Sequence, residues 1–355
     1  MTAAEAVTGL LGRKVAGVAS LGGAYRIRLA DGGEVVAKRH TEPSAVEAEV
    51  AGLRWLRNGS SPTNQDKVHP GNPNERTVRT PGGPPISTLR HGADNSGGAG
   101  GNWEEVHPRN SNERTVRAAG GPPDSTLPAG DDNSDESVFP QVPAVLGFDR
   151  EWLVIEFVAG GRASVASAER FGRELAALHQ AGAGAFGVAP PGGPADAWIG
   201  LAPMRNVTGA RWPEWYVEHR VLPYLRAAVD QGVLPDPAPV EDLCARIDTV
   251  AGPVESPARL HGDLWSGNVL WGTDRVWLID PAAHGGHRET DLAMLRLFGC
   301  SHLDRIVAAY DEAAPLADGW RERVPLHQLF PLLVHTVLFG GGYGAQAVAA
   351  ARSLA

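Results

Sequence analysis

The chain has 355 residues, a formal net charge of −9 from 41 acidic and 32 basic side chains, and two cysteines. An acidic balance with no basic stripe argues against a nucleic-acid partner, and no apolar run is long enough to span a bilayer. The N-terminus lacks a charged-then-apolar leader pattern. Cys244 and Cys300 fall on expected helices, which suits reduced structural thiols, so the chain reads as cytoplasmic. Its length suits a sizeable core divided between two lobes and leaves oligomeric state open.

Val15–Ala19 and Tyr25–Leu29 read as short strands on either side of Leu21-Gly22-Gly23-Ala24. Asp31-Gly32-Gly33 then turns the chain into a third strand, Glu34–Arg39. Glycines at a strand turn let backbone amides approach a phosphate, so Gly22 and Gly23 are candidate nucleotide contacts. Lys38 closes the third strand, in the manner of the strand lysine of kinases. A helix over Ser44–Arg57 follows, with Val46, Val50 and Leu53 on its apolar stripe and Glu47 and Glu49 as its acids. Kinase chemistry fixes such a lysine over the α- and β-phosphates with a glutamate. Glu49 is preferred, because its spacing to Trp55-Leu56 also occurs in small-molecule kinases; Glu47 stays open.

From Gly59 to Ser137 the hydrophobic periodicity stops. Residues 67–96 reappear as 105–134, with 21 of 30 positions identical. Each copy holds too few large apolar residues for a solenoid unit, so a disordered, tandemly duplicated insert is expected. Without it, Leu53-Arg54-Trp55-Leu56 would run directly into Val142-Pro143-Ala144-Val145. Loop-closure entropy grows only logarithmically, so such a loop costs roughly 1–2 kcal/mol.

Beyond the insert, the remaining lobe reads as mostly helical. Helices are expected at Ser167–Gln180, Pro213–Gln231, Val240–Val250, Glu289–Phe298, Leu303–Ala313 and Gln328–Ser353. Trp212, Trp215, Tyr216 and Arg220 share helical spacing and are assigned to large-lobe packing. A strand-rich first part and a helical second part make an α+β arrangement. Neither a P-loop nor a dinucleotide fingerprint is present.

The densest motif is His261-Gly262-Asp263-Leu264-Trp265-Ser266-Gly267-Asn268, followed by Asp280 after a short hairpin, Val269–Trp271 and Val276–Ile279. Phosphoryl transfer needs a carboxylate to take the acceptor hydroxyl's proton, which suits Asp263. It also needs oxygens to hold Mg²⁺ against the phosphates of ATP, which suits Asn268 and Asp280. Trp265, two residues past the base, either stacks on a sugar or packs the loop. His287 and Arg288 follow closely enough to line the acceptor or phosphate side. His284 and His287, three apart, lack the further ligands that a metal site requires.

These strings, with Trp198–Asn206, Trp212–Ala228, Ile279–Met294 and Leu338–Tyr343, resemble the fructosamine kinase family, the ketosamine-3-kinases. The resemblance spans about residues 10–58 and 138–352. It implies a two-lobed, protein-kinase-like and aminoglycoside-phosphotransferase-like fold. A nucleotide lobe would comprise 1–58 and 138–158, the insert 59–137, and a helical catalytic lobe 159–355. Such an enzyme would phosphorylate the 3-hydroxyl of a ketosamine, free or protein-bound; an aminoglycoside or other amino sugar is the alternative acceptor, and a non-catalytic binding domain a third reading. By the same resemblance Asp263 is the base, and Asn268 and Asp280 bind magnesium. Lys38 and Glu49 clamp the nucleotide, Glu156, Phe157 and Val158 form the hinge that meets adenine, and His261 and Asp291 support the catalytic loop. Met204 stands where relatives often carry glutamine.

Overall fold

The structure, a computed structural model, describes residues 1–57 and 138–355; the expected insert and its repeats lie outside the described residues. Helix α1 (Ala3–Leu11) opens the chain, with a reciprocal Thr2–Glu5 capping box at its start. Strands β1 (Val15–Leu21), β2 (Ala24–Leu29) and β3 (Glu34–Arg39), helix α2 (Pro43–Arg57), and strands β4 (Val145–Phe148) and β5 (Trp152–Glu156) follow. They build one antiparallel sheet in the order β1-β2-β3-β5-β4.

Period-two alternation gives that sheet two differently committed faces. Ile27, Leu29, Val35, Ala37, Trp152 and Val154 pack against α1. On the other face Leu153 and Ile155 join Val46, Val50, Leu53 and Leu56 of α2 in a second core that continues into the helical lobe. Lys38 alternates with Ala37 and so belongs to the α2 face. The lysine therefore reaches the helix that carries its partner.

The helical lobe begins with α3 (Val165–Gln180), capped by Ser164. A hairpin of β6 (Asp196–Ile199) and β7 (Ala202–Arg205) precedes α4 (Trp212–Tyr216), a π-helical turn at Val217–Val221, α5 (Leu222–Asp230) and α6 (Ala238–Ala245). Strand β8 (Ala258–Leu260) enters the His261–Asn268 loop, β9 (Val269–Trp271) and β10 (Val276–Leu278) form the hairpin after it, and β11 (His284–Gly286) pairs back on β8. Helices α7 (Glu289–Phe298), α8 (Leu303–Ala313), α9 (Trp320–Phe339) and α10 (Tyr343–Ser353) complete the chain.

Three expected helices differ from those observed. Pro213–Gln231 is broken by the π turn, and Val240–Val250 ends at Ala245, with a 3₁₀ turn at Ile247–Thr249. Gln328–Ser353 is two helices, because Gly340 and Gly341 take φ of 63° and 60°, outside the helical region. The first of the two starts at Trp320 and runs through Pro325 and Pro331. Trp212, Trp215 and Tyr216 sit in the large-lobe core with Leu326, Phe330 and Leu333. Among the described residues no helix is long and apolar enough to cross a membrane.

Candidate active site

Two chain segments far apart in sequence meet at Lys38. Its ammonium lies 2.8 Å from Glu49 Oε1 and 2.7 Å from Asp280 Oδ1. Burial alone would lower the lysine's pKa, but the charges of Glu49 and Asp280 outweigh it and raise it above the usual range. Glu49 is 7% exposed, while Glu47 points to solvent, so the structure singles out Glu49. The other Glu49 oxygen lies 3.1 Å from His40 Nε2. Burial works against ionisation of Glu49, and the Lys38 charge together with the hydrogen bond from His40 reverses that, lowering its pKa. His40 was not anticipated from sequence, although it follows Lys38 by two residues and therefore shares its face.

The His261–Asn268 loop is held from below. His261 is fully buried, with Nε2 2.9 Å from Ile279 O, and its Nδ1 accepts from Asp263 N at 3.3 Å. A carbonyl only accepts, so the proton sits on Nε2 and the imidazole is neutral; burial lowers its pKa accordingly. Asp291, at the start of α7, accepts from the backbone N–H groups of His261 (2.8 Å) and Gly262 (3.0 Å). Gly262 takes φ of 81°, and a Cβ there would lie 2.1 Å from Ala282 O, so only glycine fits. Asp291 is in turn 3.2 Å from His179 Nε2, whose Nδ1 meets Tyr310 Oη at 2.8 Å. His179 and Tyr310 are further support that sequence reasoning missed. Both lie on helices remote in sequence from the loop.

Asp263 is presented at the cleft. Asn268 Nδ2 donates to Asp263 O (2.8 Å) and Oδ2 (3.0 Å), leaving the Asn268 carbonyl oxygen as the atom a cation would find. Burial raises the Asp263 carboxyl to about 7; the Asn268 hydrogen bond opposes this, and the charges of Asp280 and Asp291 add to it. Asp280 adopts φ of 55°, a strained conformation for a non-glycine residue. An amide oxygen and carboxylate oxygens form a hard donor set that fits Mg²⁺.

Lys38, Glu49, Asp263, Trp265, Asn268 and Asp280 line one cavity of about 330 Å³. Trp265 is half-buried, edge-on to Phe298 with centroids 6.0 Å apart, and a Cβ on Gly267 would lie 2.3 Å from its ring. The indole therefore packs the loop and also borders the cavity; the two readings of this residue are compatible. Gly22 and Gly23 form the two-residue turn between β1 and β2, and Ala24, beside it, pairs with Lys38. Glu156 closes β5: its N–H donates to Ala144 O, and its carboxylate accepts from Ala144 N. Phe157 and Val158 follow directly after β5. Arg26 stacks over the Phe157 ring at 4.2 Å.

His287 and Arg288, expected near the acceptor, are placed elsewhere. His287 is 3% exposed and packed between Trp212 and His327, with ring centroids 4.8 and 4.7 Å away. Arg288 makes a bidentate pair with Glu255 at 2.7 Å and donates to Ala314 O and Pro315 O. The pairing of β11 with β8 turns the chain away from the cleft after His284, so closeness in sequence to Asp280 does not translate into closeness in space. His287, Glu289 and His327 do gather ligand atoms within 4.8 Å. Arg323, however, holds both Glu289 oxygens, and His287 Nδ1 accepts from Glu289 N, which puts its proton on Nε2. The Glu289 carboxylate is thus engaged by Arg323 and His287 Nδ1 by the backbone. Met204 is 1% exposed in the core and does not line the cavity.

A strand-rich lobe bearing a Lys–Glu pair, set on a helical lobe bearing Asp, Asn and a second Asp, defines a kinase-like phosphotransferase fold. The streptomycin–ATP complex of the aminoglycoside phosphotransferase APH(2")-IIa shares that fold, with a TM-score of 0.50 and 11% identity over 99% of this chain and 96% of that one. A crystal structure from Thermobifida fusca, provisionally named a fructosamine-3-kinase, matches with a TM-score of 0.72 and 38% identity over 99% and 98% of the two chains. A probable ketoamine kinase of Synechocystis is 38% identical over 198 residues, 55% of this chain and 65% of the relative. The fructosamine kinase family model matches residues 133–354, and the chain belongs to that family.

Proposed function

We propose that the protein is an ATP-dependent kinase that phosphorylates the 3-hydroxyl of ketosamines, the adducts of a sugar with an amine. The observation that carries this reading is the convergence of Lys38, Glu49, Asp263, Asn268 and Asp280 on one cavity beside Trp265, in a chain of the fructosamine kinase family. Family membership favours ketosamine over aminoglycoside acceptors. It also favours catalysis over the silent binding domain, since no member of the phosphoryl-transfer set is missing.

Lys38, oriented by Glu49, holds the nucleotide's phosphates, and the Gly22-Gly23 turn closes over them. Asp263 hydrogen-bonds the acceptor hydroxyl and takes its proton as the oxygen attacks the γ-phosphorus and the bond to the bridging β-phosphate oxygen breaks, releasing ADP; its raised pKa strengthens it as a base once ionised. Asn268 and Asp280 would hold magnesium, which would supply charge neutralisation on the phosphates. Asp291 and His261 fix the loop, so that Asp263 does not reorganise as the reaction proceeds.

The test is ATP consumption by the purified chain with Mg²⁺ against fructose-, ribulose- and erythrulose-lysine, kanamycin, and free lysine as a blank. Turnover on ketosamines alone, lost in Asp263→Asn, is the expected result. Turnover on kanamycin alone would move the protein to the aminoglycoside reading.

A further inference from the structure

The cavity is also lined by apolar side chains that have no part in phosphoryl transfer. Trp198 and Leu201, both on the β6–β7 hairpin, line it together with Asp263 and Trp265. Leu201 sits in the two-residue hairpin turn and is 78% exposed, an unusual outlay of apolar surface for a turn tip. Pro190 and Pro194 extend the same lining.

The hairpin is mounted rigidly. Tyr224 Oη donates to Pro203 O at 2.6 Å, and Arg220 donates to Arg205 O (3.0 Å) and Asn206 Oδ1 (2.9 Å). Arg220 is 1% exposed, with its guanidinium over the Trp215 ring and no carboxylate in ion-pair range among the described residues. A buried, unneutralised cation is costly, and here both Nη groups donate to the hairpin base, Nη1 also to His219 O. The π turn carries Arg220 to that face just before α5 brings Tyr224, and such turns mark functional positions. At the tip side, Trp198 Nε1 donates to Ser44 Oγ at 3.0 Å, which ties the hairpin to the helix that carries Glu49.

A ketosamine is itself two-ended: a polyhydroxy sugar joined through nitrogen to whatever amine was modified. With the reacting hydroxyl at Asp263, the amine substituent needs its own wall. We propose that Trp198 and Leu201 form the subsite for that substituent, selecting an extended methylene chain, such as a glycated lysine side chain, over a small amine. This inference rests on the ketosamine reading above.

The experiment compares kcat/KM for the fructose adducts of N-α-acetyl-lysine and of methylamine in the wild type, Trp198→Ala, Trp198→Phe and Leu201→Ser. Wild type is expected to prefer the lysine adduct by about tenfold or more, the scale of a few buried methylenes. Trp198→Ala and Leu201→Ser should each cut that preference to about threefold or less, with the change falling on KM for the lysine adduct rather than KM for ATP. Trp198→Phe, which keeps an aromatic face, should restore most of it. Leu201 is exposed, so its substitution reads the subsite without a folding penalty. Turnover with equal specificity in wild type, or a preference untouched by Leu201→Ser and Trp198→Ala, overturns the subsite alone. No turnover on either adduct overturns the ketosamine reading and the subsite with it.

Discussion

At the scale of single residues, Asp263 is half-buried at the cleft and hydrogen-bonded by Asn268. Asp263→Asn keeps the shape of the loop but removes the proton acceptor. Its kcat should fall by roughly 10²–10⁴-fold with ATP binding retained, read by steady-state kinetics beside nucleotide titration. Gly267→Ala tests the tryptophan: the new Cβ would collide with the Trp265 ring, so the indole must leave its place over the loop. The expected signature is a raised KM for the acceptor and a shifted tryptophan fluorescence; an unchanged acceptor KM would count against Trp265 as a cavity wall. These residues were legible in sequence because the chemistry needs fixed types at fixed spacing. His287 and Arg288 were misread because the same logic of proximity was carried across β11, where a strand pairing sends the chain inward. His40 carried a readable signal, its two-residue offset from Lys38, whereas Trp198 lay in a string whose role no spacing discloses.

At the scale of elements, α7 and α9 are joined by Arg323, which donates to both oxygens of Glu289 at 3.0 and 2.6 Å. Burial pushes Glu289 upward, but hydrogen bonds from His327 and Arg323 overcome it and bring the carboxyl to about 2. A folded-state pKa below the ordinary value stabilises the fold above that ordinary value, 4.5, and the contribution is lost as pH falls from there towards 2. Glu289→Gln leaves a buried guanidinium without its counter-charge and should cost about 3–5 kcal/mol in urea unfolding at neutral pH. The wild-type advantage over this variant should shrink steadily as the pH is taken through that window, and a constant difference would contradict the assignment. Element ends were harder to read than element types. The prolines inside α9 hid its first two turns, and the glycines at 340 and 341 split what periodicity alone ran together.

For the whole molecule, the sheet, both lobes and the cleft are built from residues 1–57 and 138–355. Arg57 Nη1 reaches Val142 O at 3.1 Å, so the chain on either side of the interruption is already in contact. Deleting residues 59–137 with a short linker should therefore leave thermal stability and kcat within about twofold of the full chain, since loop closure is a weak function of length. A folded deletion variant that had lost activity would show that the interruption contributes to catalysis. The two-lobed class was legible because the nucleotide and catalytic signatures fall on opposite sides of that interruption. The packing of the hairpin against α2 depends on contacts across 154 residues of chain and was not.

The most direct measurement is the position of phosphate on the product formed from fructosyl-lysine and Mg–ATP, read by ³¹P–¹H correlation NMR. A phosphate coupled to the proton on sugar carbon 3, absent with Asp263→Asn, is the predicted result. Phosphate on another hydroxyl, or ATP hydrolysis without a sugar phosphate, would contradict it.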